Sequence, residues 1–511
     1  MNLASVDIGT TSCKAGLFDS AGTALRLASR PTPTRVTPDG VAYYDPYELR
    51  DTVCEALREA LEGVPPGQIA AVGVTSMAET GVLLDRATGE PRTHVFPWFD
   101  TQAAPQADLL ANEDDPVARF CKTGLHPGSK VSLAKLLWLL QHDPAVLNGT
   151  VWLSAADFIV HALTGEFVTD YSLAGRTFAF RIDQRRWDDE WIQSLGLPPG
   201  LFPPALSSGE PAGRVHAEGS ARSGLPVGVP VAVAGHDHIC GALGIGAVTP
   251  HKVFDSMGTA EVLLGTLEPR PLTAEDYESG LSFGCHVVPG RYYWLGGLSV
   301  SGGSVEWLRT IFDAPQMSYQ QLDDLLAQGD AAPIDILYYP YLLGGGSSSL
   351  NRGHSARAAF IGLEAHHRQI DLLKAVLQGT AYEMERIRRT AEQLTGAPIE
   401  RALAAGGGSR NKLWMQIKAD VSDCVFEVAP VSEVTLLGAA MIAGIGAGLF
   451  ADASEAVDAM VPVNTELFEP DDERHRRHVR LYEDGYLALQ TPLNAFYSLM
   501  DKSATHAHES T

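Results

Sequence analysis

Two α/β domains facing one another across a cleft are what this sequence predicts, and three observations carry the prediction. The chain has 511 residues, more than one hydrophobic core usually serves, so two large domains are expected. Two pieces, Val6-Asp7-Ile8-Gly9-Thr10 and Phe254-Asp255-Ser256-Met257-Gly258-Thr259, share one order: β-type run, acid, Gly-Thr turn. They open two stretches of comparable length, the pattern of an internal duplication with a ligand cleft between its halves. Within Val231 to Glu261, an apolar β-type run ends at Gly235. Asp237 follows between two histidines, and small residues from Ile239 to Ala247 read as the start of a tightly packed helix. A candidate base and a candidate phosphate loop thus share one short span, and phosphoryl transfer needs both.

The composition is that of an ordinary globular protein, 45% hydrophobic and 20% charged. A formal charge of −24 argues against a nucleic-acid partner, since the sequence shows no basic patch to offset it. The cysteines at 13, 54, 121, 240, 285 and 424 form no CxxC pair, and reduced thiols in a cytoplasmic protein are expected. No apolar run of about 18 residues is present to cross a membrane. The start, Met1-Asn2-Leu3-Ala4-Ser5-Val6-Asp7, lacks a basic segment followed by an apolar one. A soluble protein without membrane partners is expected, with a homodimer as the default assembly.

Taken in order, Leu3 to Ile8 and Cys13 to Asp19 read as the strands of a hairpin whose tip is Gly9-Thr10-Thr11-Ser12. Backbone N–H groups and hydroxyls at such a tip suit phosphate oxygens. Asp7 at the strand end suits a hydrated Mg²⁺, and Lys14 adds positive charge. Asp45 to Glu62 has a helical period, and Ile69 to Ser76 and Val82 to Asp85 are β-type. Pro97-Trp98-Phe99-Asp100 ends a further short strand. Glu79, Trp98 and Asp100 are candidates for a polyol pocket, carboxylates accepting from hydroxyls and the indole covering carbon.

From Thr123 to Thr177 helices alternate with turns, Ser132 to Gln141 and Asp157 to Leu163 among them; this region is assigned to substrate-domain scaffolding. Leu197 to Pro230, rich in Pro and Gly, reads as a connecting loop. In the second half, Ile370 to Leu394 is a long amphipathic helix, Ala402 to Ala405 a strand running into a Gly triplet, and Thr435 to Gly446 a small-residue helix. Asp471 to Leu489 is a charged helix buried along Val479, Leu481, Tyr482 and Tyr486. Residues 491–511 form a tail, polar and disordered from Lys502. The two large domains are expected over 1–247 and 248–490. A transition-metal site at His236-Asp237-His238 is disfavoured, on the expectation that residues i and i+2 at this strand end point oppositely and because no other Cys or acid cluster is near in sequence.

The stretches DIGTTSCKAGLFD, LTGEFVTDYSLAGRT, AGHDHICGALGIG, DSMGTAE, SGGSVEWLR, GGGSRNKLWMQIKADV and EVTLLGAAMIAGIGAG occur in this order. Together they resemble the FGGY carbohydrate kinases of the actin-like ATPase superfamily. The resemblance implies two actin-like (ribonuclease H-like) α/β domains, ATP and Mg²⁺, and a small sugar as substrate. It implies Asp237 as catalytic base and metal neighbour, and Asp7 as the acid that organises Mg²⁺. Thr10, Thr11, Ser12, Lys14, Gly258, Thr259, Gly302, Gly407 and Asn411 fall at the ATP site, and Glu79, Ala78, Trp98, Asp237 and His238 at the substrate site.

Two departures bear on the substrate. Glycerol kinases of the family carry Arg-Glu, and xylulokinases tend to carry Met-His, where this chain has Ala78-Glu79. The usual acid-bearing loop after Pro-Tyr-Leu is replaced by Leu343-Gly344-Gly345-Gly346-Ser347. A ketopentose such as D-xylulose is expected first, with L-xylulose, ribulose, erythrulose or gluconate as alternatives. A non-kinase actin-like ATPase or a sugar-binding regulator that has lost catalysis are the remaining readings.

Overall fold

The computed structural model describes residues 1–112, 115–312, 318–326, 329–344 and 356–508. The elements that build the molecule are, in chain order, β1 (Asn2–Ile8), β2 (Ser12–Phe18), β3 (Ala24–Pro31), α1 (Pro46–Ala60), β4 (Ile69–Ser76), α2 (Ser132–His142), α3 (Ala155–Thr164), α4 (Tyr171–Gly175), β5 (Pro211–Arg214), β6 (Pro230–His236) and α5 (Asp237–Gly244). They continue with β7 (Lys252–Met257), β8 (Glu261–Leu267), β9 (Ser282–Cys285), β10 (Tyr292–Leu298), α6 (Gly302–Ile311), α7 (Gln369–Thr395), β11 (Arg401–Ala405), α8 (Lys412–Ser422), β12 (Val425–Val428), α9 (Val434–Gly446), β13 (Glu466–Phe468) and α10 (Ala488–His508).

The strands form two sheets of matching topology. In the N-lobe the order is β5-β6-β4-β1-β2-β3, and in the C-lobe β9-β10-β8-β7-β11-β12-β13. Each begins with an antiparallel meander, β1-β2-β3 or β7-β8-β10, and adds parallel strands on the other side of the first, β4 and β6 or β11 and β12. Helices α1 and α3 cover the outer face of the N-lobe sheet, and α7 and α8 lie against the C-lobe sheet's outer face.

Between the sheets lies a shared layer made of α5 from the first half and α9 from the second. Leu3, Ala71 and Ala234 of one sheet and Phe254, Leu264, Leu295 and Leu403 of the other all pack into it. The sequence explains the closeness. A Cβ on Gly244 would lie 1.9 Å from the Val434 carbonyl oxygen, one on Gly438 1.9 Å from that of Cys240, and one on Gly73 2.1 Å from that of Ala439. Three glycines thus let α5, α9 and β4 meet backbone to backbone, with Ala, Leu and Ile filling the remaining space.

Some sequence expectations need correction. The stretch 197–230 is not a plain loop: β5 pairs antiparallel with β6 and completes the N-lobe sheet. Residues 97–100 form a turn rather than a strand end. The charged helix passes through a π segment, Leu481–Leu487, which shifts its buried stripe so that His478 is buried with Tyr482 and Tyr486. The expected disordered tail is helical to His508 as the continuation of α10. The Gly345-Gly346-Ser347 loop and residues 509–511 lie outside the described residues.

Replacing Gly438 by Ala should lower stability by about 1–3 kcal/mol, because backbone rather than a flexible side chain opposes the new methyl. Gly67→Ala, with open space at its Cβ, should stay within about 0.5 kcal/mol of the parent. Urea titrations compare the two, and equal midpoints would show that the helix crossing is not a tight constraint.

Candidate active site

The first hairpin tip is closed by Gly9 N–H to Ser12 O at 3.0 Å and buttressed by Thr32, whose hydroxyl donates to Gly9 O at 2.7 Å. Thr11 is exposed and Ser12 half-buried. Trp98, in the turn after residue 97, donates from Nε1 to Thr10 Oγ1 at 2.8 Å. This bond joins the expected pocket wall to the expected phosphate loop. Asp7, one strand position before Ile8, lies on the face turned to the shared helical layer, as alternation from Leu3 requires.

Asp7 Oδ1 is buried and has no hydrogen-bond partner among the described residues. Burial raises the Asp7 pKa well above the carboxylate range, Asp237 adds to the rise, and Lys14 opposes it. Lys14 sits opposite Asp7 in the β1–β2 register. Its ammonium is not free for a phosphate here: it pairs with Glu433 at 2.7 Å, at the head of α9.

The second tip, Gly258-Thr259-Ala260, is exposed and is closed by Gly258 N–H to Ala260 O at 2.9 Å. The start of α6 docks on it: Ser301 N–H donates to Thr259 O at 2.8 Å, Gly302 N–H to Gly258 O at 3.2 Å and Gly303 N–H to Thr259 O at 3.1 Å. A Cβ on Gly302 would lie 2.5 Å from Gly258 O. The close approach at Gly302 is therefore to the hairpin.

The apparent repetition of an acid before each Gly-Thr is a correction to the sequence reading. The second hairpin has one residue more between acid and glycine, which turns Asp255 to the opposite sheet face. There it is fully buried, paired with Lys418 at 2.9 Å, while Lys418 also pairs with Glu261. Burial lifts Asp255 to about 7, against the pull of Lys418. Ser256, half-buried on the face shared with Phe254, occupies the position corresponding to Asp7.

Asp237 is the first residue of α5, at the end of β6. His236 is held by its backbone N–H, which donates to Ser172 Oγ at 2.9 Å. Its Nε2 lies 3.2 Å from Asp237 Oδ1, which also accepts from His238 N–H at 2.7 Å. The change from strand to helix brings the side chains of His236, Asp237 and His238 together, with one donor atom from each within 4.8 Å of the others. This overturns the strand-end argument for their separation. Burial pushes the Asp237 pKa up, but His238 and His236 outweigh it and hold the group below its ordinary value. Burial lowers the His238 pKa. Of the two neighbouring acids, Asp237 is the one whose surroundings favour the carboxylate form.

Glu79 has φ +58°, a strained conformation for a residue with a side chain. Its Oε1 accepts from Arg176 Nε at 3.0 Å and from Arg176 Nη2, just past α4. Burial favours the protonated form, but Arg176, Lys130 and His236 bring the Glu79 pKa below its ordinary value. Lys135 of α2 fixes the backbone, donating to Glu79 O at 2.5 Å and to Pro97 O at 2.7 Å. Ala78 is buried in the N-lobe core and does not line the pocket with polar atoms. Asp100 is occupied by Gln102, whose backbone N–H donates to it at 2.9 Å.

On the C-lobe side, Gly406 has φ +106° and a Cβ there would meet Met257 O at 2.4 Å, so the triplet turns under the second hairpin. Gly407, by contrast, has open space where its Cβ would be, which suits close approach by a ligand. Asn411 Oδ1 caps α8 by accepting from Trp414 N–H at 2.9 Å.

Comparison with known proteins adds to this geometry. Residues 3–244 match the model for the N-terminal domain of the FGGY family of carbohydrate kinases, and residues 254–447 match that for its C-terminal domain. The chain belongs to the FGGY family of carbohydrate kinases.

This FGGY kinase is 27% identical over 464 residues to xylulose kinase of Bacillus subtilis (strain 168), covering 89% of this chain and 90% of the relative. It is 28% identical over 508 residues to glycerol kinase of Streptococcus agalactiae serotype V, covering 95% and 96%. Its fold matches the crystal structure of xylulose kinase from Rhodospirillum rubrum with TM-score 0.87 at 28% identity, over 98% of this chain and all of that one. The FGGY kinase thus has the actin-like two-domain fold and is a sugar phosphotransferase. No described helix is long and apolar enough to cross a membrane.

Sequence reasoning missed Arg176, Lys135 and Lys130, which lie in the region read as scaffolding. The signal available was Arg176 at the end of LTGEFVTDYSLAGRT: a buried arginine needs an acid, and Ala78-Glu79 offered an acid without its usual neighbour.

Burial lowers Lys135 to about 7 from an ordinary value near 10.5, with Glu79 and Asp100 opposing the fall. Between those values the folded protein holds fewer protons at this site than the unfolded chain, so this group's contribution makes stability rise with pH. Lys135→Met should remove that rise and, by leaving two carbonyls unpaired, cost about 2 kcal/mol at pH 8. Urea midpoints of both proteins between about pH 7 and 9.5 check this; parallel curves would contradict it.

Proposed function

We propose that this kinase transfers the γ-phosphoryl group of ATP to a primary hydroxyl of a small sugar, with a ketopentose such as D-xylulose as first choice. The observation that carries the reading is the place of Asp237 at the head of a helix shared by the two lobes, beside two histidines that favour its carboxylate form, with the buried Asp7 Oδ1 left without a partner among the described residues. A carboxylate in that state can accept a hydroxyl proton, and in this reading the sugar lies on one side of it and the nucleotide on the other.

The residues present fit Mg²⁺. Asp7 Oδ1 is buried without a partner among the described residues, and two acids that repel one another call for a cation between them. Asp7 and Asp237 would hold it, directly or through water, and when bound it supplies charge neutralisation to the β- and γ-phosphates.

In the proposed reaction Asp237 takes the proton of the sugar hydroxyl as its oxygen bonds to the γ-phosphorus. The bond from that phosphorus to the bridging oxygen breaks, and ADP leaves. The N–H groups of Thr10, Thr11 and Thr259 and the hydroxyls of Thr10, Thr11, Ser12 and Thr259 would meet the charge spread over the transferred group, while the Gly9 and Gly258 N–H groups close the two hairpins that present them. Lys14 can exchange Glu433 for phosphate oxygens. Gly407 gives the nucleoside close backbone approach, and Asn411 fixes the helix start beside it. Glu79, steadied by Arg176, accepts from sugar hydroxyls, with Trp98 and His238 along the same pocket.

The ketopentose choice is supported by the loss of the Arg-Glu pair at Ala78-Glu79 and by similarity to xylulose kinases; glycerol kinase relatives of like identity keep polyols in the screen. Asp237→Asn should reduce kcat by about 10³-fold or more while sugar affinity changes by less than about 3-fold. Coupled ADP release over ketoses, polyols and aldonates, with calorimetric sugar titration of the variant, tests both points. Near-normal turnover by the variant would remove Asp237 from the role of base.

A further inference from the structure

Lys130 has no role in the reading above, yet the backbone places it at the sugar pocket. Leu133 N–H donates to Thr177 O at 3.0 Å, which ties the start of α2 to the residue after Arg176. Two residues on, Lys135 bonds the carbonyls of Glu79 and Pro97. The turn that precedes these two anchors ends in Lys130 and Val131, with Val131 N–H closing on Gly128 O at 3.2 Å.

Lys130 is half-buried and has no hydrogen-bond or ion-pair partner among the described residues. Glu79, the acid whose charge acts on it, already gives Oε1 to Arg176. A partly desolvated ammonium without a partner is costly, and a ligand oxygen would satisfy it.

Hydrogen bonds link the base to this turn. Ser172 of α4 accepts from His236 N–H, next to Asp237; Arg176, just past α4, donates to Glu79; and Leu133 and Lys135, a few residues after Lys130, donate to the carbonyls of Thr177 and Glu79. In this reading a polyol with its reacting hydroxyl on Asp237 extends along this path, past Glu79 and towards Lys130.

We propose that Lys130 is a specificity-determining residue that donates to a carbonyl or carboxylate oxygen at the substrate end remote from the phosphorylated hydroxyl, selecting ketoses and aldonates over plain alditols. The inference rests on the assignment of Asp237 as the base that receives the reacting hydroxyl. An ammonium bonds such an electron-rich oxygen more strongly than a hydroxyl, and an alditol presents only hydroxyls. The net charge at this end supports it: Glu79 and Arg176 cancel, and Lys130 remains.

The test uses the full-length protein with D-xylulose, D-xylonate and xylitol, substrates of one chain length that differ at the remote end. In Lys130→Met, KM for whichever of xylulose and xylonate the parent uses should rise about 10-fold or more, kcat should stay within about 3-fold, and xylitol kinetics should change by less than about 3-fold. Lys130→Arg should keep the parent preference and guards against a folding defect in the first variant. Parent activity on xylulose alone identifies a carbonyl as the oxygen read, and on xylonate alone a carboxylate. Equal losses on all three substrates, no loss on any, or a parent that prefers xylitol would overturn the proposal. ADP release by the parent that does not depend on sugar would instead defeat the kinase reading itself, while sugar-dependent release with an unaltered preference in Lys130→Met defeats only the role of Lys130.

Discussion

The contact on which the rest of the structure depends is the crossing of α5 and α9 between the sheets. Gly244 and Gly438 admit each helix to the other's backbone, and Gly73 admits α9 to the N-lobe sheet. Each half of the chain therefore supplies a helix to one common layer. Since Asp237 begins one of these helices and Glu433 precedes the other, the packing that joins the lobes also sets the position of the acids between them.

Electrostatics at this junction follows from a shortage of partners. Glu79 is met by Arg176 and Asp255 by Lys418, so each of these acids has a cation bonded to it, although Asp255 Oδ1 itself makes no hydrogen bond among the described residues. Asp7 has no such cation: its Oδ1 has no donor among the described residues, the neighbouring Lys14 is bonded to Glu433, and Asp237 repels it. His236 and His238 relieve Asp237 alone. The surroundings thus push the two acids of the junction in opposite directions, Asp7 up and Asp237 down, and the difference suits them to different work.

Much of this architecture was legible in the sequence. Both hairpins, the strand at Ile69–Ser76, the helix start at Asp237 and the small-residue helix at the second lobe follow from periodicity and from Gly-Thr turns. What sequence spacing did not show is which face a residue takes. Asp255 was paired with Asp7 by neighbourhood to Gly-Thr, yet one inserted residue reverses it in a sheet of period two. The histidines around Asp237 were separated by a strand rule that ceases where the helix begins. Lys135 and Arg176 are passed over in the sequence because their meaning lies in long-range bonds to residues 79 and 97, and Lys130 because its place follows from theirs.

The inserted residue before Gly258 also breaks the likeness of the two lobes where it matters most. A faithful duplicate would present an anion on both walls and would accept a polyphosphate equally well from either direction. With Ser256 in place of the second acid, only one wall repels phosphate unless a cation intervenes, so the fold gives its cleft a polarity that its near-twofold topology lacks.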